Sequence, residues 1–151
     1  MKQKQIETKN KIINHLMVNG KKETGNKILL KSLKEIQKES KKQSQELIKL
    51  GIMYATPTFK LHKITNKKQK KRNKKVREVP AFISDKKARI SLAIKFIVAN
   101  LKKKKSASFY TKLKQELLAN AQYKGSAIQI KNELQKQVLA NKRYFAYYRW
   151  R

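Results

Sequence analysis

The sequence predicts a mainly α-helical single domain of about six helices, with a two-stranded β-ribbon arm protruding between the third and fourth. Three observations carry this expectation. Apolar residues recur at helical spacing in six separate segments of the 151-residue chain. One stretch, residues 57–83, abandons that period and alternates apolar with basic side chains. Hydrophobic residues make up 39% of a chain of ordinary domain length, enough for one core.

Residues 4–18 form the first expected helix, with Ile6, Ile13, Leu16 and Met17 on one side and Asn19-Gly20 as its stop. The second covers about 22–39, with Ile28, Leu29, Leu33 and Ile36 as its stripe and Gly25 weakening its first turn. After the polar stretch 40–44, Leu47, Ile48, Leu50, Ile52 and Met53 mark a shorter third helix, expected to be disturbed at Gly51.

Pro57 opens the arm. Phe59, Leu61 and Ile64 alternate with Lys60 and Lys63 as one strand; Val76, Val79, Phe82 and Ile83 supply the other, with Pro80 confining it to an edge. Between them TNKKQKKRNKK holds no apolar residue, so its tip can pack only against an anion. Ser84-Asp85 caps a fourth helix with Ile90, Ile94, Ile97, Val98 and Leu101 in line, followed by the run Lys102–Lys105 that suits a helix C-terminus. Ser106 is the expected cap of a fifth helix, which runs to about Tyr123 and is ended by Gly125. A sixth begins at Ser126, turns Ile130, Leu134 and Val138 inward, and continues into Tyr144–Trp150.

Forty Lys and Arg against nine Asp and Glu give a formal net charge of +31. A compact domain so charged repels itself, and a polyanion relieves that repulsion. Cysteine is absent, which excludes disulfides and thiolate metal sites. No apolar run approaches the roughly 18 residues of a membrane span, and the N-terminal MKQKQIETKNK carries neither a secretory apolar core nor a transit-peptide pattern. Lysine greatly outnumbers arginine, a usage matching an A+T-rich gene such as an organelle's own.

Chemistry-bearing patterns point away from catalysis. His15 and His62 stand alone, the carboxylates are scattered among lysines, and Glu35 and Glu39 read as salt-bridge partners within their own helix. No nucleophile–base pair, phosphate-binding glycine loop or metal spacing occurs, so neither enzyme activity nor a cofactor is expected.

The candidate residues are those that suit the phosphate backbone of a polyanion. Lys4, Lys9 and Lys11 lie on the first helix with Lys2 just before it, and Lys21 and Lys22 stand at the N-terminus of the second, where backbone amides favour phosphate. Lys67, Lys68, Lys70, Lys71, Arg72, Lys74, Lys75 and Arg77 belong to the arm. Lys86, Lys87 and Arg89, with Lys95 as a weaker member, stripe the fourth helix. Tyr148, Arg149 and Trp150 join aromatic planes to a guanidinium, while Phe145 is assigned to the core.

Three segments carry a family resemblance. They are IINHLMVNGKKETGNKILLKS at 12–32, the arm returning through Val79-Pro80, and KSASFYTKLKQELLANAQYKGSAIQI followed by Phe145-Ala146-Tyr147-Tyr148-Arg149-Trp150. Over residues 6–150 the chain resembles small-subunit ribosomal protein seven of the bacterial and organellar type. Tyr147 stands where that family usually has His, and the arm tip is longer, Lys-rich and without glycine.

The resemblance implies a structural protein that binds the three-prime major domain of small-subunit rRNA and nucleates the subunit head. It places the arm near the exit-site tRNA and the mRNA path, with small-subunit protein eleven as a neighbour. A monomeric, membrane-free role in a mitochondrial ribosome is the expectation, with bacterial cytoplasm or plastid as alternatives. Two other classes compete: a histone-like nucleic-acid compactor, which charge alone permits, and a polybasic membrane-surface protein. The latter requires one strongly amphipathic helix, whereas these apolar stripes are spread over six.

Overall fold

The computed structural model describes residues 2–40, 44–65, 76–103 and 108–147. Their elements are α1 (Lys2–Leu16), α2 (Lys22–Glu39), α3 (Ser44–Ala55), β1 (Phe59–Thr65), β2 (Val76–Phe82), α4 (Lys86–Lys103), α5 (Phe109–Ala121), α6 (Ser126–Ala140) and a closing 3-10 turn, η1 (Lys142–Tyr147). The expected mainly helical fold, with a ribbon between α3 and α4, is what forms.

The core is a single cluster. Ile12, Ile13 and Leu16 of α1, Leu29 and Ile36 of α2, and Ile52 of α3 meet Ile94, Ile97 and Leu101 of α4 and Leu113 and Leu117 of α5. Several expected stripes are rotated. On α2 the buried line is Gly25, Leu29, Ser32 and Ile36, while Ile28 and Leu33 are only half-buried. Small residues explain the turn: Gly25 lies against the Ile13 carbonyl, and Ser32 satisfies its hydroxyl on the Leu29 carbonyl at 2.8 Å. On α6, Ala127, Ile128 and Val138 are buried, whereas Ile130 and Leu134 are half-buried.

Helix ends also depart from expectation. Left-handed Asn19 (φ 52°) and Gly20 (φ 73°) follow α1, which stops at Leu16 rather than 18. No disturbance occurs at Gly51: α3 runs through it unbroken, because the missing side chain admits α5. A Cβ there would meet the Leu117 carbonyl at 3.1 Å. Asp85 alone caps α4, its carboxylate accepting from Lys87 N at 2.8 Å and Ala88 N at 3.2 Å.

Ser108, not Ser106, is the N-cap residue of α5; Ser106 lies outside the described residues. Tyr123 (φ 62°), not Gly125, makes the left-handed turn that ends α5, and Lys124 N closes the motif on the Ala119 carbonyl at 2.8 Å. The final segment does not continue α6. Asn141 ends that helix, and residues 142–147 tighten into η1.

The ribbon is antiparallel, with Phe59 opposite Phe82, Leu61 opposite Pro80 and Thr65 opposite Val76. In a two-stranded sheet both strands are edges, so a proline is tolerated. Its root is fixed to the helical body. Phe59 packs on Phe82 and on Phe145 of η1, with centroids 5.8 Å apart in both pairs. Val79 is 1% exposed. The Lys-rich tip expected at 66–75 lies outside the described residues.

Candidate nucleic-acid interface

Helices α1 and α4 pack side by side, and their register concentrates positive charge at the seam. Lys11 reaches across to donate from Nζ to the Lys87 carbonyl at 2.9 Å. One turn further, His15 Nε2 meets Ser91 Oγ at 2.8 Å. Partial burial pushes the His15 imidazolium down from its ordinary range, and the charges of Lys95 and Lys11 push it further in the same direction. Lys11, His15 and Lys95 thus form one basic cluster drawn from two helices.

The candidates on this face differ in freedom. Lys9, Lys86 and Lys95 are exposed, and each can direct an ammonium at a phosphate; Lys87 is exposed on the same face. Lys11 is half-buried and already engaged. Arg89 is engaged as well: its Nε donates to the Ile83 carbonyl, and its guanidinium lies 4.8 Å from the Phe82 ring centroid. Arg89 therefore fastens α4 to the ribbon root. For Lys2 and Lys4 the helical position in α1 is described, but their side chains are not.

Lys21 and Lys22 are exposed at the start of α2, where Lys21 caps the helix without a side-chain hydrogen bond. Arg77 is exposed on β2, opposite Ile64. Lys67, Lys68, Lys70, Lys71, Arg72, Lys74 and Lys75, together with Tyr148, Arg149 and Trp150, lie outside the described residues. The structure thus brings α1 and α4 candidates together and leaves Lys21 and Lys22 at a separate helix end.

Other basic residues have structural employment that their local sequence does not reveal. Lys131 of α6 donates to the Tyr54 carbonyl at the end of α3 at 2.7 Å, and burial lowers its ammonium pKa. Lys114 of α5 bridges to α2, with Nζ 2.7 Å from Glu39 and 3.5 Å from Glu35, so these glutamates pair between helices rather than within their own. The hydrogen bond to Glu39 chiefly raises the Lys114 pKa. Conversely, exposed Lys60 and Lys142 extend the basic surface over the ribbon root and η1, beside Lys63, which pairs with Glu78 at 3.5 Å, and Arg143, which lies over the Tyr144 ring, an extension visible only once those elements are adjacent.

Among the described residues no cluster of three or more His, Asp or Glu is placed to hold a metal, and no helix is long and apolar enough to cross a membrane. The arrangement offers ammonium groups on a rigid two-helix platform, chemistry suited to phosphate contact and shape recognition.

Comparison with known proteins agrees over nearly the whole chain. Residues 2–142 match the family described as Ribosomal protein S7p/S5e. A small ribosomal subunit protein uS7 from Pseudothermotoga lettingae is 31% identical over 140 residues, covering 93% of this chain and 85% of its own. The small ribosomal subunit protein uS7c of Euglena gracilis is 29% identical, covering 89% and 81%. That of Wigglesworthia glossinidia brevipalpis is 30% identical, covering 93% and 85%.

Proposed function

Because the chain belongs to the ribosomal protein S7p/S5e family, as a non-enzymatic protein of the small ribosomal subunit, we propose that it binds small-subunit rRNA directly and stabilises the subunit head. The observation carrying this reading is the α1–α4 seam, where Lys11 donates to the Lys87 carbonyl and His15, held on Ser91, is crowded by the charges of Lys11 and Lys95. A phosphate backbone laid along the seam neutralises this cluster and releases counterions. The rigid helical body supplies shape, and the lysines supply affinity.

The finer assignment is a junction in the three-prime major domain, gripped by Lys9, Lys86, Lys87 and Lys95. Lys21 and Lys22 make a second contact, while Tyr148, Arg149 and Trp150 reach a third. The arm, with Lys67 to Arg77, extends toward the exit-site tRNA and the mRNA path, and small-subunit protein eleven is the neighbouring protein. The lysine-biased usage favours a mitochondrial ribosome over a plastid or bacterial one.

The test is binding of the full chain to a transcript of the rRNA head junction at about 0.15 M salt, with excess duplex DNA and tRNA as competitors. Retained binding, with a compact set of protected junction nucleotides, is the expected result. Complete displacement by duplex DNA identifies a histone-like compactor instead.

A further inference from the structure

The α1–α4 seam holds a titratable group that phosphate contact by lysines alone does not use. Lys11 and His15 lie one turn apart on α1, and their partners Lys87 and Ser91 lie one turn apart on α4, so the two hydrogen bonds form successive rungs between the helices. Lys95 stands one further turn along α4 and is exposed. His15 therefore sits between two ammonium groups, Lys11 behind it and Lys95 ahead, and the charges of both act on it.

Negative charge is sparse around this ring. Helices α2 and α4 pack on α1. By sequence α4 contains no carboxylate, and α1 has only Glu7, two turns before His15. Asp85, just ahead of α4, is committed to the Lys87 and Ala88 amides. On the α2 side, Lys22 and Glu23 border Lys9, Asn10 and Ile13 in a cleft to which His15 does not contribute.

Ser91 suits either charge state of the ring. A hydroxyl donates to a neutral imidazole nitrogen and accepts from a protonated one, so the 2.8 Å rung survives protonation. What favours the neutral ring in the free chain is half-burial between two cations. A phosphate laid on the seam reverses the electrostatic part of that balance, because it offsets the lysines and attracts an imidazolium. We propose, resting on the reading that rRNA binds along the seam, that His15 takes up a proton when RNA occupies it. Affinity for that RNA then rises as pH falls through the range of about 7.5 to 6.

The test uses the full chain and the head-junction transcript at about 0.15 M salt. Across that pH range the parent is expected to gain about threefold or more in affinity, His62→Gln to keep the gain and His15→Gln to lose it. Calorimetry in two buffers of different ionisation enthalpy should register net proton uptake on binding by the parent, and less by His15→Gln. Circular dichroism at both ends of the range verifies that each variant is folded. An NMR titration of the His15 ring in the parent needs no variant, and it should move to higher pH in the complex.

A His15 titration that is unmoved or lowered in the saturated complex overturns the proposal and leaves rRNA binding intact, since the complex has formed. So does a pH-dependent gain that His15→Gln keeps in full. Failure to bind the transcript against duplex DNA and tRNA at either pH sinks rRNA binding itself, and the proton uptake with it.

Discussion

Gly125 leaves the space that the Asn120 side chain fills. A Cβ on Gly125 would overlap the Asn120 amide group and approach its backbone nitrogen to 2.9 Å. Asn120 is fully buried, so it has nowhere to retreat. Gly125→Ala should therefore destabilise the chain by about 1–3 kcal/mol through overpacking, read as a lower urea midpoint at unchanged slope. Both Asn120 amide atoms lack a hydrogen-bond partner among the described residues. Removing them in Asn120→Ala relieves a buried polar cost and clears part of the overlap. In that background Gly125→Ala should cost clearly less, a coupling of about 0.5 kcal/mol or more. Strict additivity would refute the relationship.

Glu116 caps a helix to which it does not belong. It is 1% exposed on α5, yet its Oε1 accepts from Ser126 Oγ at 2.7 Å and from the Ala127 backbone N–H at 3.1 Å, at the start of α6. Glu116→Ala leaves that buried N–H without its acceptor, and a loss of about 2 kcal/mol is expected. Glu116→Gln keeps one acceptor oxygen and should recover part of it. Equal losses for Ala and Gln, measured by urea denaturation, would show that an acceptor oxygen at this position is not what matters.

These relationships mark where the sequence ceases to be legible. Local rules identify the six helices, the ribbon that Pro57 opens, and the Asp85 cap, because each depends on near neighbours in the chain. They misjudge Gly51, since propensity counts its missing side chain as a weakness, whereas here it lets the Leu117 carbonyl of α5 approach. Glu35 and Glu39 find Lys114 far along the chain rather than a lysine one turn away. The basic character of the interface is equally plain from composition, but which lysines are free is not. Lys11 and Arg89 carry the same charge as Lys86, yet both are occupied by carbonyls on neighbouring elements.

His15 makes stability depend on pH in a defined direction. Burial first, then Lys95 and Lys11, lower its folded-state pKa below the 6.5 of the unfolded chain. Below that value the unfolded chain therefore binds more protons, and stability falls as pH falls. Above about pH 7 the contribution is flat. The urea midpoint of the parent chain should decline from pH 7 to 5.5, and His15→Gln should decline less over that window. The difference between parent and variant is the quantity that decides. A midpoint that rises on acidification in the parent but not in the variant would reverse the sign and refute the account.

Salt dependence separates lysines that touch phosphate from basic residues that hold the fold together. Replacing Lys67, Lys68, Lys70 and Lys71 with Ser should leave the urea midpoint unchanged and flatten the plot of log affinity against log salt for the rRNA head junction. Every phosphate no longer neutralised takes about 0.7–0.9 off that slope, depending on whether the RNA behaves as single strand or duplex. Arg89→Ala should do the opposite. It removes the hydrogen bond to the Ile83 carbonyl and the stacking over Phe82, so a stability loss of about 1–2 kcal/mol is expected. Its salt slope should change little, because that guanidinium is already engaged within the fold. If Arg89→Ala flattens the slope as much as an arm lysine does, the guanidinium leaves Ile83 to meet phosphate beside Lys86.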